Sequence, residues 1–338
     1  MGSLFVWNDR AMMEKNQWHP LALSHDVIDA PLAVRLLEQD LVLWRDATGR
    51  AQAFVDRCPH RGARLSLGRV NDGKLECPYH GWQFADNGQC VKVPAVPSFT
   101  PPPAHCVKSF GVQEAYGLVW VQLEKPEGAE VPLPAFDAEA NADLRKVNCG
   151  PYDVAASAPR IIENFLDMSH FGFVHEGWLG SRDSTEMAPY NVEATATGVK
   201  ATNCKAVQPQ SNLHSTKPAE VEYTYEVTAP YTALLTKIPE EGTTKQGWHE
   251  AIALFICPIT PETSRVWFRL AVADFDSTDA QLQDFQHTIF TQDQPVLESQ
   301  RPKPLPLDPR AELHSAVDRM SSAYRRYLKA KGVTFGVC

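Results

Sequence analysis

The apolar residues of this chain recur with two different periods, and the changes of period divide it. Between residues 41 and 125 they come in short runs. LVLWRD and AQAFVD are rich in β-formers, and the ATGR between them reads as a hairpin turn. NDGK and DNGQ, with their Asp-Gly and Asn-Gly steps, mark further tight turns, and YGLVWVQL is another strand. A small all-β module is predicted. The stretch that follows, to residue 150, is rich in Pro, Ala and acidic residues and reads as a linker. IIENFLDMSHFGFVH then spaces apolar residues at i, i+3 and i+4, which predicts a helix. VEYTYEVT, EAIALFICPIT and SRVWFRLAVADF return to strand chemistry, with a PITPETS turn between the last two. From Asp279 the period is helical again, through AQLQDFQHTIFTQDQPVLESQ. RPKPLPLDP is an extended connector. A last helix is predicted over AELHSAVDRMSSAYRRYLKAKG, with Gly332 as its C-cap. The class is α+β.

Composition narrows the partners. A length of 338 residues suggests about two domains, large enough to fold without disulfides. Net charge is −9 with no Lys/Arg run, which argues against nucleic acid as a partner. No stretch reaches the ~18 apolar residues of a membrane span. The start, MGSLFVWNDRAMMEKNQWHP, has no apolar signal core, so a cytoplasmic protein is expected. Its eight cysteines are then expected to be reduced.

Two of those cysteines keep metal-ligand company. CPHRGARLSLGRVNDGKLECPYHGW places Cys58, His60, Cys77 and His80 as C-x-H, sixteen residues, then C-x-x-H. Each loop offers one thiolate and one imidazole. Zinc fingers group Cys with Cys and His with His; here the types alternate. A Rieske [2Fe–2S] centre needs two Cys on one iron and two His on the other, and two such loops meet that need. The motif CPHRGARLSLG…CPYHGWQF resembles that of the Rieske non-haem iron oxygenases. The resemblance implies that Cys58 and Cys77 hold one iron and His60 and His80 the other. Tyr79 and Trp82 are expected to shield the cluster.

ENFLDMSHFGFVH supplies a second constellation of Asn164, Asp167, His170 and His175. On a helix Asn164, Asp167 and His170 fall on one stripe. His175 lies about 140° further round at ~100° per residue. Both rings converge only if the helix is distorted or ends, and Gly172 is the expected place. Two His and one carboxylate form the triad of non-haem Fe(II) oxygenases. D-x-x-H-x4-H at this distance downstream resembles the iron-binding motif of the same family, which implies His170 and His175 as ligands. Asp293 in FTQDQPVLESQRP is the candidate for the third, because its D-x-P-V-x-E-x-Q surroundings resemble those of the ligand Asp in short demethylase-like members. Asp284 and Glu298 compete; Glu298 and Gln300 are otherwise read as hydrogen-bonding supports. The resemblance gives Asp167 a different role, bridging His170 to the Rieske His80 of a neighbouring subunit in a head-to-tail homotrimer.

What the resemblance implies about fold and reaction follows. Residues 37–128 would form the all-β Rieske domain and 129–150 a linker. Residues 151–338 would form a helix-grip (START-like) catalytic domain of antiparallel sheet and helices, with 1–36 packing on it. The chain would be the terminal component of a monooxygenase, hydroxylating an sp3 carbon or removing an O- or N-methyl group from a small organic substrate with O2. No G-x-G-x-x-G fingerprint follows a strand, so NAD(P)H would act through a separate reductase or ferredoxin. The alternatives are an aromatic-ring cis-dihydroxylating dioxygenase subunit and a Rieske electron-transfer protein. FVHEGWLGSRD and YRRYLKAKGVTFGVC look like the saxitoxin-tailoring members of the family. Candidate pocket-wall residues are Trp178, Tyr223, Tyr231, Trp248, Ile252, Leu254, Phe255 and Phe290. Phe171 and Phe173 are expected around the iron, and no Arg or Lys is clearly placed to bind an acid.

Overall fold

The computed structural model describes residues 12–215, 217–239 and 249–338. Its first ten strands are β1 (His19–Leu23), β2 (Leu32–Leu36), β3 (Gln39–Arg45), β4 (Ala51–Val55), β5 (Arg69–Asn71), β6 (Lys74–Glu76), β7 (Gln83–Phe84), β8 (Cys90–Lys92), β9 (Gly111–Ala115) and β10 (Leu118–Gln122). They form three small antiparallel sheets, ordered β1-β10-β9, β2-β3-β4 and β5-β6-β7-β8. Turn chemistry sets the registers. Asp46 Oδ1 accepts the backbone N–H groups of Thr48 and Arg50 and closes the β3–β4 hairpin. Asp72 and Gly73, at φ +49° and +65°, supply the left-handed pair that a two-residue β5–β6 turn requires. Trp44, Phe54, Leu75 and Phe84 make the local core.

The second half is one seven-stranded antiparallel sheet. Its strands are β11 (Arg145–Val154), β12 (Asn191–Ala194), β13 (Val199–Gln208), β14 (Ala219–Ala229), β15 (Thr232–Pro239), β16 (Glu250–Thr260) and β17 (Thr263–Val272), ordered β11-β17-β16-β15-β14-β13-β12. Strand β11 starts at Arg145, inside the span read from composition as a linker. Helices α1 (Ala158–Phe165) and α2 (Phe171–Val174) follow β11, and α3 (Asp279–Ser299) and α4 (Arg319–Lys331) follow β17. This helix-on-antiparallel-sheet arrangement is the α+β fold expected.

The α3 start carries a capping box, with Thr278 and Gln281 bonding each other's backbone N–H. The last helix is shorter than its pattern. It begins at Arg319, because Glu312 is drawn into ion pairs with Arg160 and Arg325 and Asp318 Oδ2 takes the N–H of Ser315. Gly332 ends it at φ +73°, the αL cap expected. No helix among the described residues is long and apolar enough to cross a membrane.

Because strand side chains alternate, the large sheet has two apolar faces. On β16, Ile252 and Leu254 face the helices, while Ala251, Ala253 and Phe255 face the opposite way. The second set packs with Leu21, Trp120 and Trp267, joining the N-terminal sheets to the back of the seven-stranded one. Buried Glu14 seals this junction by accepting the backbone N–H groups of Thr334 and Phe335 at 2.6 and 2.8 Å.

His19 on β1 is 2% exposed and bonds the Glu14 carbonyl at 2.7 Å. Burial lowers its pKa from 6.5 to about 4, against a smaller opposing effect of that carbonyl. Between those two values the unfolded chain binds a proton that the folded chain excludes, so stability falls as pH drops through that window. The loss is at most about 3 kcal/mol. Denaturant titrations at pH 7 and pH 4.5 are expected to show a smaller acid loss for His19→Gln than for the unaltered chain; equal losses would contradict this.

Candidate metal centres

The two Cys-His loops are built alike. Cys58 N–H donates to Ala63 O at 2.8 Å, and Gly62 N–H donates back to Cys58 O at 2.9 Å. In the second loop Cys77 N–H donates to Trp82 O at 2.8 Å and Gly81 N–H to Cys77 O at 3.1 Å. Gly62 and Gly81 sit at φ +72° and +71°, where a side chain costs about 1–2 kcal/mol. Asp56 pins the first loop by accepting from Arg64 Nε and from Ser66 N and Oγ. Both sulfurs are buried and free, while His60 and His80 are exposed with ring centroids 4.6 Å apart. Burial, reinforced by the adjacent Cys77, pushes the Cys58 thiol up to about 12. Two buried sulfurs, one of them a thiol held well above its ordinary pKa, beside two imidazoles suit a metal cluster that supplies positive charge. Desolvation and the nearby His80 lower the His60 pKa. Trp82 stacks on His60 at 4.5 Å, and His105, which the sequence reading missed, stacks on Trp82 at 5.5 Å. Tyr79 lies with its ring centroid 3.8 Å from that of His80 and its outer side 63% exposed.

At the second site the helix breaks earlier than Gly172. Helix α1, capped by Ser157, ends at Phe165, and α2 begins only at Phe171. The cause is Asp167. Its Oδ1 accepts from Ser169 N and Oγ, and its Oδ2 from His170 N, so the side chain replaces the helical hydrogen bonds. Gly172 serves close approach instead: a Cβ there would lie 2.9 Å from Ser181 O.

The break lets the two rings meet. His170 Nε2 and His175 Nε2 are 3.2 Å apart, and Asp293 Oδ1 lies 3.4 and 3.2 Å from them. Each outer nitrogen is held. His170 Nδ1–H donates to Asp167 Oδ2 at 2.8 Å, and His175 Nδ1–H donates to Gln292 Oε1 at 2.7 Å. Both Nε2 lone pairs are therefore directed at one point. Burial works against the Asp167 carboxylate, but bonds from His170 and Ser169 hold its pKa below the ordinary value. Asn164 Nδ2 donates to Asp293 Oδ1 at 3.2 Å. Two imidazoles and a buried carboxylate, with ligand atoms within 4.8 Å of one another, are a donor set that fits a divalent iron. Asp284 is exposed and outside this donor group, and Glu298 instead accepts Ala155 N–H and Gln294 Nε2. Gln292 was missed by sequence reasoning; its position beside Asp293 on α3 is the only signal.

A cavity of about 1000 Å³, counting its mouth, opens beside this triad. Its helical wall includes Ile161, Phe165, Ile289 and Phe290, and its sheet wall Tyr223, Leu235, Ile252 and Leu254. Four of the expected wall residues are therefore here: Tyr223, Ile252, Leu254 and Phe290. Phe255 is on the other sheet face against Trp120, Tyr231 bonds Phe335 O, and Trp178 packs on Phe285. Trp248 lies outside the described residues. Phe171 lines the cavity, whereas Phe173 is 52% exposed under Arg182. Contrary to the sequence reading, a lysine is present: Lys237, paired with Glu250, lines the same wall.

Comparison with known proteins gives two family matches: residues 17–111 match the Rieske [2Fe-2S] domain and residues 154–332 the vanillate O-demethylase oxygenase C-terminal domain. The probable methylxanthine N7-demethylase NdmC of Pseudomonas sp. (strain TJI-51) is 41% identical over 223 residues, 65% of this chain and 77% of its own. The methylxanthine N1-demethylase NdmA of Pseudomonas putida is 32% identical over 337 residues, 96% of this chain and 91% of its own. The NdmA structure with caffeine has a TM-score of 0.79 over 94% of this chain and 90% of NdmA, at 29% identity. Dicamba monooxygenase bound to dicamba shares the fold at 23% identity, with a TM-score of 0.80 over 95% of this chain and 98% of its own.

Gln292→Leu removes the acceptor that fixes His175. Loss of such an outer hydrogen bond is expected to weaken Fe(II) binding at the triad about 10–100-fold, with visible absorption of the cluster unchanged. Equal affinity in an anaerobic Fe(II) titration would contradict this.

Proposed function

The chain belongs to the Rieske non-haem iron oxygenases, and on that footing we propose that it is a monooxygenase terminal component acting on a methyl or other sp3 carbon of a small organic molecule. The observation that carries the reading is the cavity: a largely apolar cleft, about 1000 Å³ with its mouth included, opens onto His170, His175 and Asp293. An electron carrier has no use for it.

In this reading Cys58, His60, Cys77 and His80 hold the [2Fe–2S] cluster, and His170, His175 and Asp293 hold the mononuclear iron. When bound, these groups supply one-electron delivery and dioxygen activation. The chain supplies position and proton control. Asp167 keeps the proton on His170 Nδ1 and Gln292 keeps it on His175 Nδ1. Asn164 orients the Asp293 carboxylate by donating to Oδ1. The walls of Phe165, Phe290 and Leu254 exclude water and hold the substrate carbon near the triad. Overall, R–CH3, O2, NAD(P)H and H⁺ give R–CH2OH, water and NAD(P)⁺. Where R ends in N or O, the product collapses to formaldehyde and the demethylated compound. The demethylase relatives support that second outcome, and a relative named oxidoreductase NdmD, of Pseudomonas putida, supports a separate reductase.

The assembly is proposed to be a head-to-tail homotrimer, in which Asp167 of one subunit reaches the His80 of the next. Two features support this. His80 is exposed at a loop tip, and Asp167, already bonded to His170, keeps 24% of its side chain open. A cytoplasmic location is proposed, supported by eight free cysteines.

Purified protein with an NAD(P)H-dependent reductase and a panel of aryl methyl ethers and N-methyl heterocycles is expected to release formaldehyde equimolar with demethylated product. Reductant consumption without any oxygenated product, or a cis-diol product, would overturn the reading. Asp167→Asn is expected to keep both metal centres and lose most turnover; normal reoxidation of the reduced cluster by O2 with substrate in that variant would contradict the bridging role.

A further inference from the structure

Lys237 and Glu250 are register partners on β15 and β16, with Nζ 3.1 Å from Oε2. Their side chains are 6% and 10% exposed, and both line the cavity. Alternation places Lys237 in phase with Leu235, and Glu250 in phase with Ile252 and Leu254, so the pair stands among the apolar residues of the sheet wall. Burial alone would depress the Lys237 ammonium, but attraction to Glu250 carries it above its ordinary value, and the 3.1 Å approach of Nζ to Oε2 is that of an ion pair.

Such a pair is poorly explained by stability. Replacing a buried ion pair with apolar side chains of like volume is often neutral or stabilising. What the pair offers is spare hydrogen-bonding capacity. An ammonium has three N–H groups and a carboxylate two oxygens. The Nζ–Oε2 contact leaves Glu250 Oε1 and further Lys237 N–H groups available to a molecule in the cavity. As a whole the pair is neutral. A net-charged ligand group would neutralise one partner and strand the other as a buried, unpaired charge. A neutral group with an acceptor beside a donor satisfies both at once.

We infer that Lys237 and Glu250 together form the specificity-determining edge of the pocket, and that the substrate presents a carbonyl next to an N–H, as the edge of a cyclic imide or ureide does. The carbonyl accepts from Lys237 Nζ, the N–H donates to Glu250 Oε1, and the ring lies against Leu235, Ile252 and Leu254. This deepens the oxygenase reading above and rests on it.

Theobromine and caffeine make a matched pair of probes. They share one ring system, but the ring N–H flanked by two carbonyls in theobromine is methylated in caffeine. Each is titrated calorimetrically into the metal-loaded, full-length protein without reductase. Theobromine is expected to bind about 10–100-fold more tightly, the worth of a hydrogen bond to a charged group. In the double variant Lys237→Leu/Glu250→Leu, the two ligands are expected to bind alike. Equal binding of both to the unaltered protein, binding of neither, a preference for caffeine, or a preference that survives the double substitution would overturn the inference. Binding is read without turnover, and product formation with reductase is measured separately, so failure of the pocket edge and failure of the oxygenase reading are distinguishable.

Discussion

The carboxylate of Asp293 lies within 3.4 Å of two imidazole nitrogens that come from a different part of the chain. That contact ties α3 to the broken helix of residues 158–174, and the site exists only while it holds. Several features elsewhere serve it. The capping box at Thr278 fixes where α3 starts, and so which residues face the sheet. Gln286, Ile289, Phe290 and Asp293 then fall on one stripe of the helix and line the cavity together. The Asp167 side chain ends α1 after two turns and swings His170 and His175 to the same point. Three like-facing donors with no metal between them would be an unfavourable arrangement of lone pairs and negative charge, so the contact is best understood as a socket for a cation.

The same logic of charge governs the other end of the molecule. Cys58 and Cys77 are both buried, the Cys58 thiol where burial resists its ionisation, yet their loops are closed by paired backbone hydrogen bonds and left-handed glycines that leave little freedom. Rigidity in the absence of charge balance again points to a metal group. The two centres share one packed body, because the back of the seven-stranded sheet is covered by β1, β10 and their neighbours and locked by Glu14 to the C-terminal residues.

Much of this was legible in the sequence. The Cys-His loops were readable because ligand type and spacing are set by the metal and survive any fold. Hairpins at Asp72–Gly73 and Asp46–Gly49 were readable because left-handed backbone needs particular residues. What failed depended on contacts between distant segments. The helix break was placed at Gly172, the residue of weakest propensity, whereas Asp167 causes it through a local side-chain bond. The final helix was drawn too long because Glu312 has ion-pair partners on α1 and α4. Phe255 was mistaken for a pocket residue because both faces of β16 are apolar, so alternation carried no contrast. Lys237 and Glu250 were overlooked for the opposite reason: a charged residue in phase with apolar neighbours was not followed across to the strand it pairs with.

The central claim is that this chain carries a lone iron in the socket of His170, His175 and Asp293, apart from a two-iron cluster. Anomalous diffraction at the iron edge from crystals of the iron-loaded protein tests it most directly. Two close peaks between the Cys58–His60 and Cys77–His80 loops and one isolated peak at the triad, about three irons per chain, are expected. An empty triad beside a filled cluster, or a signal at the zinc edge in either place, would contradict it.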